Sequence, residues 1–331
     1  MSVVNSNVPN FVPHPWLRNG HLQTVAGRLL RGPKSPLHAT YHEIEVCGGD
    51  RLTLLDSVPE NWAAGKPQAL IVHGLGGCAR ASYVVRVASR LVRMGVRVVR
   101  MNLRGAGSGF GLARGIYHAG RTADLRSVVE WMSRKSQGSP LALVGFSLGA
   151  NLVLKLASEA SDTPLDGLDC VLAANPPIDL AACCRQIQRK ENRLYDRNFV
   201  KQLLCQIGRL HEIYPDLGSV NLPKSLTLLD FDDLYTAPRN GFAGAADYYA
   251  RNSAADFVPR IEVPGLIIHA LDDPFIPVEP FRNITFPQDL ALELIPGGGH
   301  LGYLSHRAWN GDRRWLDGRL TVWLAAHWAL N

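Results

Sequence analysis

The stretch of sequence that decides the fold is LALVGFSLGAN, residues 141–151. Its apolar start, 141–144, is typical of a strand buried on both faces, and residues 150–160 form a helical pattern. Between them GFSLG, residues 145–149, matches the pattern G-x-S-x-G. A serine on a sharp turn between a strand and a helix exposes its hydroxyl, and glycines are needed there because larger side chains would collide with neighbouring elements. The stretch therefore predicts Ser147 as a nucleophile, and a tight packing turn is the alternative.

Strand and helix patterns alternate outward from this stretch. A hairpin signal, GGD at 48–50, stands between two strand-like segments near the N-terminus. The repeated strand–helix order predicts an α/β fold, with a mostly parallel central sheet flanked by helices on both faces. Buried strands are predicted at 69–73, 96–101, 141–144, 170–174, 263–270 and 290–295, and helices at 82–94, 122–133, 150–160 and 315–329, the last one amphipathic.

The strand–helix rhythm breaks at NPP, residues 175–177, because two prolines prevent a strand from continuing. The next segment, 178–259, is polar and helix-like, which indicates an inserted helical cap. The sequence thus predicts a core in two parts, 1–177 and 260–331, with the cap between them. Four apolar residues of the insertion favour an acyl pocket there: Leu203, Leu204, Ile213 and Tyr214.

A serine hydroxyl is a poor nucleophile unless a histidine base and an orienting carboxylate assist it, and in this setting the chain order is serine, acid, histidine. His300 follows the last predicted sheet strand in GGGH, residues 297–300. Asp273 follows the preceding strand in DDPFIP, residues 272–277, where α/β sites collect functional groups. We predict His300 as the base and Asp273 as the acid, with Asp272 as its competitor.

Backbone amides near the serine can stabilise a developing oxyanion. The N–H of Leu148 stands at the N-terminus of the predicted helix, and the N–H of Leu75 belongs to the glycine-rich loop HGLGG, residues 73–77. We predict these two donors. His73 ends a buried strand before a glycine, which is more typical of a structural histidine than of a base.

Three further motifs have less specific explanations. RGAGSG, residues 104–109, lacks the continuation of a dinucleotide-binding fingerprint and fits a backbone turn. His211 and Asp216 form an H-x4-D pair of the kind some acyltransferases use, but one such pair is expected by chance among eleven histidines. His118 is predicted to begin a helix, which it caps or packs against, and lining the pocket is the alternative.

The composition excludes several classes of protein. With 331 residues, 46% hydrophobic and 19% charged, the chain can bury a large core, which excludes disorder and a coiled coil. No run approaches the ~20 apolar residues of a membrane span. Residues 1–15 lack the charged and apolar regions of a secretory signal, so we expect a cytoplasmic location without a transmembrane segment.

Cysteines and charge indicate neither a metal site nor a nucleic-acid partner. The six cysteines are too few and too irregular for a disulfide framework, and none has zinc-site spacing, so we expect no structural metal. The net charge of +6 comes from scattered basic residues, which fits a solvated surface rather than nucleic-acid binding.

With these residues identified, the sequence resembles the α/β-hydrolase superfamily, and within it the YheT-like group of esterases related to the mammalian ABHD1, ABHD2 and ABHD3 hydrolases. The resemblance implies Ser147 as nucleophile, Asp273 and His300 as its relay partners, and acyl-ester hydrolysis without a cofactor. Absence of the mammalian membrane anchor fits a cytosolic form. The segments that carry the resemblance are PWLRNGHLQT (15–24), HGLGG (73–77), NLRG (102–105), GFSLGAN (145–151), FDD (231–233) and GGHLG (298–302).

The prediction for function is a serine hydrolase that cleaves carboxylic esters, with short- to medium-chain or lipid-like acyl groups, through an acyl-enzyme. The expected partner is a small-molecule or lipid-like ester substrate. The same residues also fit an acyltransferase or a thioesterase. A hydrolase-like binding module without turnover is the alternative from another class.

Overall fold

The structure is a computed structural model that describes residues 8–30, 37–309 and 312–330. The prediction about a secretory signal in residues 1–15 falls partly outside the described residues. The strands of the structure are Thr40–Glu45 (β1), Arg51–Ser57 (β2), Gln68–Val72 (β3), Arg97–Met101 (β4), Leu141–Phe146 (β5), Leu168–Ala174 (β6), Gly265–Ala270 (β7), Leu290–Ile295 (β8), Leu304–Trp309 (β9) and Asp312–Arg314 (β10). Its α-helices are Gly20–Leu29 (α1), Ser82–Arg93 (α2), Thr122–Lys135 (α3), Leu148–Glu159 (α4), Leu180–Ile187 (α5), Arg193–Ile213 (α6), Leu228–Phe231 (α7), Ala237–Arg239 (α8), Ala245–Asn252 (α9), Glu279–Arg282 (α10) and Trp315–His327 (α11).

A single sheet of eight strands organises the described chain, in the order β1-β2-β4-β3-β5-β6-β7-β8. The strands from β4 to β8 are parallel neighbours, whereas β1 and β2 add an antiparallel edge. In the centre, Val72 pairs with Met101 on one side and with Gly145 on the other. The parallel strands therefore end at one common edge, where the loops after β3, β5, β7 and β8 meet.

The two faces of the sheet are covered by different helices. On β3, Leu70 and Val72 contact the core shared with α3 and α4, whereas Ala69 and Ile71 contact the core shared with α2 and α11. Alternate residues of a buried strand point to opposite faces, so both sets are apolar and fully buried. This arrangement confirms the α/β architecture predicted from the sequence.

The predicted strands and helices are all present, with ends that differ by a few residues. The main error concerns α11, which was expected to be amphipathic. Nine of its thirteen residues are buried, because α2 and the β9–β10 hairpin pack against it. Its charged residues are paired in the interior, Asp317 with Arg86 and Arg319 with Glu293.

The segment between β6 and β7 is helical, as predicted, and contains α5 to α9. Its division into a separate cap, 178–259, remains a prediction. A π-helical turn, Asp232–Thr236, joins α7 to α8. Helix α1 and the β9–β10 hairpin were not predicted from the sequence. Among the described residues, no helix has both the length and the apolar character that crossing a bilayer requires.

Candidate active site

Ser147 lies on a strained turn between β5 and α4. Its backbone has φ 53° and ψ −122°, a conformation that residues other than glycine rarely adopt. A Cβ on Gly145 would lie 2.4 Å from the Gly149 carbonyl oxygen, and a Cβ on Gly149 would lie 2.4 Å from the Val72 carbonyl oxygen. Both positions therefore require glycine, and the turn leaves Ser147 partly exposed.

Hydrogen bonds connect Ser147 to the two other residues predicted from the sequence. Nε2 of His300 lies 3.0 Å from Oγ of Ser147, and Nδ1 of His300 lies 2.8 Å from Oδ2 of Asp273. With Nδ1–H donating to the carboxylate, Nε2 is left to accept the serine proton. The three residues follow β5, β7 and β8, so the common edge of the parallel strands brings together groups that are far apart in the sequence.

The carboxylate of Asp273 is buried and accepts several hydrogen bonds besides that from His300. The backbone N–H groups of Phe275 and Ile276 donate to Oδ1 over 2.8 and 3.2 Å. Burial alone would raise the pKa of Asp273, but the charge and hydrogen bond of His300, the charge of His269 and the Phe275 amide outweigh it and leave the pKa lowered. Asp272, the competing acid, instead accepts the Gly299 N–H at 2.8 Å.

Asn175 is a part of this network that the sequence analysis missed. Its Nδ2 donates to Oδ2 of Asp273 over 2.6 Å and to the Gly299 carbonyl over 3.3 Å, and its Oδ1 accepts the Tyr303 hydroxyl at 2.9 Å. The side chain is fully buried and the backbone has φ 46°. Asparagine is among the few residues that tolerate this left-handed region, and its place at the end of β6 was the available signal.

Helix α1 supports the loop that carries His300. The His300 N–H donates to Oγ1 of Thr24 over 2.8 Å. A Cβ on Gly299 would lie 2.2 Å from the Gly20 carbonyl oxygen, and a Cβ on Gly302 would lie 2.4 Å from that of Gln23. The loop and the helix thus approach closely through glycines. The segment 15–24 carries part of the family resemblance, but the sequence pattern did not predict that it supports the His300 loop.

The amides around Leu75 differ in their hydrogen bonding. The N–H groups of Gly74 and Gly76 donate to the hydroxyls of Tyr83 and Tyr117, over 3.1 and 2.7 Å. By contrast, no hydrogen bond formed among the described residues uses the N–H of Leu75. The loop is held close to the serine, because a Cβ on Gly74 would lie 2.9 Å from the Ser147 Cβ.

Leu148 is the first residue of α4, so its N–H has no acceptor inside the helix. It follows Ser147 directly, and Leu148 and Leu75 line the same cavity. Within the described chain, the N–H groups of Leu75 and Leu148 are thus available to a ligand at Ser147. Their predicted role as oxyanion donors remains a prediction.

His73 and Arg104 are engaged in the interior. Nδ1–H of His73 donates to the Gly74 carbonyl over 2.8 Å, and Nε2 accepts the Leu103 N–H at 3.1 Å. Burial lowers the pKa of His73 to about 4, so the imidazole is neutral. The guanidinium of Arg104 pairs with Asp50 and Asp124 beneath its glycine-rich turn.

The H-x4-D pair does not assemble among the described residues. Nδ1 of His211 lies 2.8 Å from the Gly218 carbonyl, its Nε2 lies 3.1 Å from the Tyr235 hydroxyl, and Asp216 pairs with Arg114. These contacts involve separate partners.

His118 does not begin a helix, because α3 begins four residues later at Thr122. Nδ1 of His118 accepts the Gly120 N–H at 3.2 Å, and the ring lines the cavity described below. Burial, together with nearby basic side chains, lowers the pKa of His118 to about 3. The prediction that His118 begins a helix was wrong, whereas the ring both packs, against Phe242 and Tyr248, and lines the pocket.

A cavity of about 530 Å³ opens at Ser147. Of the four apolar residues predicted for an acyl pocket, Leu203 lines it, whereas Leu204 and Tyr214 pack in a neighbouring apolar cluster and Ile213 is exposed. The cavity lies between the strand edge and the helical segment. Its lining includes Leu75, Leu148 and His300 from the core, and Leu180, Ile187, Phe199, Leu203 and Leu228 from the helical segment.

Asp232 is an acidic residue in this mostly apolar lining. Its Oδ2 accepts the Tyr249 hydroxyl at 2.7 Å. Burial raises the pKa of Asp232 to about 6, against hydrogen bonds from Tyr249 and Thr236 that lower it. The residue begins the π-helical turn, a rare feature that is often found at functional sites.

One cluster among the described residues has the atoms of a metal site. Ligand atoms of Asp169, Cys170 and His327 lie within 4.8 Å of one another. The Asp169 carboxylate already accepts hydrogen bonds from His327 and Trp328, and burial raises the pKa of the Cys170 thiol, which disfavours the thiolate that a metal needs. The cluster stands at the start of β6, at the edge opposite to Ser147.

Comparisons with known proteins show the family of the chain. The family described as alpha/beta hydrolase fold matches residues 70–307. YheT of Escherichia coli, a candidate esterase by its name, is 32% identical, over 97% of this chain and 95% of that protein. A monoacylglycerol lipase of Saccharomyces cerevisiae is 29% identical, over 76% of this chain and 57% of that protein.

A solved structure shows the same fold at low sequence identity. The esterase Pf2001 of Pyrococcus furiosus superposes with a TM-score of 0.57 and 16% identity, over 90% of this chain and 95% of that one. The family match and the relative from Escherichia coli confirm the resemblance inferred from the motifs. With its parallel sheet, its strained serine turn and relatives that align over nearly its whole length, the chain belongs to the alpha/beta hydrolase fold family.

Proposed function

We propose that the protein is a serine hydrolase that cleaves carboxylic esters through an acyl-enzyme. The observation that carries this proposal is the continuous set of hydrogen bonds from Ser147 through His300 to Asp273. The esterase and lipase names of the relatives support the same class of reaction. The cytoplasmic location remains a prediction.

In the first half of the reaction, Ser147 attacks the carbonyl carbon of the ester. Its Oγ forms the new C–O bond while its proton passes to Nε2 of His300. Asp273 keeps the imidazole in the required tautomer and stabilises the imidazolium. Its lowered pKa keeps the carboxylate ionised for this role.

The tetrahedral intermediate carries its negative charge on the former carbonyl oxygen. The N–H groups of Leu75 and Leu148 are the donors we assign to it. When the intermediate collapses, the bond to the alcohol breaks and Nε2 of His300 returns the proton to the leaving oxygen. An acyl group then remains on Ser147.

In the second half, water takes the place of the alcohol. His300 removes a proton from the water as its oxygen attacks the acyl carbon, and the same proton then returns to Oγ of Ser147. The products are a carboxylic acid and the free enzyme. The apolar walls around Leu203 suit the acyl chain or another apolar part of the ester.

Labelling with a fluorophosphonate probe tests the proposal directly. The wild-type chain is expected to be labelled, and Ser147→Ala is expected to lose both the label and ester hydrolysis. Ser82→Ala is the matched control, because Ser82 lines the same cavity without a histidine partner among the described residues. An unlabelled wild-type chain, or labelling that survives Ser147→Ala, would refute the proposal and favour a binding module.

Hydrolysis and acyl transfer share the acyl-enzyme and differ in the acceptor. We expect water to be the main acceptor. Product analysis with an added alcohol measures the partition between free acid and new ester. Dominant ester formation at low alcohol concentration would identify a transferase instead.

A further inference from the structure

Helix α1 carries an exposed apolar face. Leu22, Val25 and Leu29 recur at the spacing of one helical face and all are exposed, Leu29 at 71% and Leu22 at 51%. Leu30 continues this surface beyond the helix, and Trp16, just before it, is 84% exposed. A helix that presents large apolar side chains to solvent is typical of a surface that binds a partner.

The opposite face of α1 is fixed to the protein. Gln23 is fully buried and exchanges hydrogen bonds with the backbone of Leu304, over 3.0 and 2.8 Å. A Cβ on Gly27 would lie 2.7 Å from the Gly302 Cα. The helix is therefore held in place with its apolar face outward, and docking on this face needs no rearrangement of the helix.

The charged side chains that this segment itself carries are basic, whereas the Asp272 carboxyl lies beside Gly20 at the start of the helix. None of the first 42 residues is Asp or Glu, whereas Arg18 and Arg28 are exposed on the described part of this segment. Neither guanidinium forms an ion pair with another described residue. An apolar helical face flanked by basic residues suits an anionic lipid surface, in which the apolar side chains enter the acyl region and the cations contact headgroups.

The exposed face continues into the cavity. Val25, Arg28 and Leu29 line the same cavity as Ser147 and His300. A lipid surface seated on α1 would therefore lie at the entrance through which an ester reaches the serine. A second copy of the chain fits this surface less well, because a symmetric dimer would place Arg18 and Arg28 against the same basic face.

We propose that α1, with Trp16 and Leu30, is a docking surface for anionic lipid bilayers or aggregates at the mouth of the cavity. The proposal concerns binding and does not require Ser147 to react. A failure of the labelling experiment above would leave it standing, and a failure to bind lipid would leave the proposed hydrolase standing.

Co-sedimentation with vesicles tests the docking surface. We expect the wild-type chain to bind vesicles of equal parts phosphatidylglycerol and phosphatidylcholine, to bind pure phosphatidylcholine at least about 10-fold less, and to be released by salt. Trp16→Glu with Leu22→Glu is expected to reduce binding about 10-fold or more, as is Arg18→Gln with Arg28→Gln.

The matched control is Val58→Glu. Val58 is 51% exposed, like Leu22, but it follows β2 at the opposite edge of the sheet, so its variant is expected to bind like the wild type. Circular dichroism melting shows whether each variant is folded. The proposal is overturned if the wild type ignores anionic vesicles, if the folded Trp16/Leu22 variant binds equally well, or if light scattering shows a dimer that this variant dissociates.

Discussion

The strand edge and the helical segment between β6 and β7 contribute to the same cavity in different ways. At the strand edge, polar side chains are fixed by several hydrogen bonds each, as Asp273 is by His300, Asn175 and two amides. The helical segment contributes mainly apolar walls such as Leu203, with Asp232 as its charged exception. In the proposed reaction, the sheet would position the reacting groups, whereas the helices would contact the apolar part of the substrate.

The largest expected effect concerns the acid at the strand edge. Asp273→Asn would remove the charge that stabilises the imidazolium and would favour the wrong tautomer of His300, so we expect kcat to fall about 10⁴-fold. Asp272→Asn is the control, because its partner is the Gly299 N–H rather than the imidazole. Steady-state kinetics on a soluble ester measure both. Equal losses in the two variants would contradict the assignment of the acid.

A smaller effect is expected one contact further from the serine. Asn175→Ala removes the amide that joins Asp273 to the His300 loop, so the acid and base lose alignment, and we expect kcat to fall about 10- to 100-fold with little change in KM. Asn151→Ala is the control, because Asn151 is equally buried but bonds to Ala119, Asn252 and Ala254. It should lower the melting temperature without a comparable loss of kcat.

The same contrast explains what the sequence could predict. Ser147 and His300 stand at the ends of parallel strands, near glycines, so local pattern was sufficient to predict them as candidates. Asn175 stands at such a strand end as well, but its role depends on contacts with Gly299 and Tyr303, which are more than 120 residues away. No local pattern shows such contacts.

The helical segment was predicted by type but not in detail. Apolar residues at helical spacing have the same pattern whether they face a cavity or the core, so Leu203 and Leu204 could not be separated. The π-helical turn at Asp232–Thr236 has no periodic signal. Helix α1 was missed although Leu22, Val25 and Leu29 recur at helical spacing, because the stretch is short and contains two glycines, which lower helix propensity.

The preference between long-chain and short-chain esters should depend on side chains of the helical segment. Leu203→Ala removes a buried side chain that lines the cavity, so we expect the ratio of kcat/KM between long-chain and short-chain esters to change by up to about 10-fold, with short-chain kcat changed only slightly. Leu210→Ala is the control, because Leu210 is on the same helix and buried but is not part of the cavity lining. An unchanged ratio for Leu203→Ala would show that this wall does not contact the acyl chain.

The smallest expected effect is a change in stability at Asp232. Burial raises the pKa of Asp232 to about 6, so the folded protein holds the proton more tightly than the unfolded chain does. Protonation of Asp232 stabilises the folded state. This stabilisation is complete below about pH 4 and is lost as the pH rises to about 6. Asn cannot ionise and can still accept the Tyr249 hydrogen bond through its carbonyl oxygen.

Asp232→Asn should therefore become more stable than the wild type as the pH rises from 4 to 6, by about 1 to 2 kcal/mol, and stay so above pH 6. Urea unfolding of both proteins across this range measures the difference, with Glu262→Gln as the control for the loss of an exposed carboxyl. A variant that is less stable at pH 8 would mean that Asp232 serves the fold. A stabilised variant would mean that the fold does not need this carboxylate. Its presence in the cavity lining, at a cost in free energy of unfolding, would then favour a role in contacting a ligand.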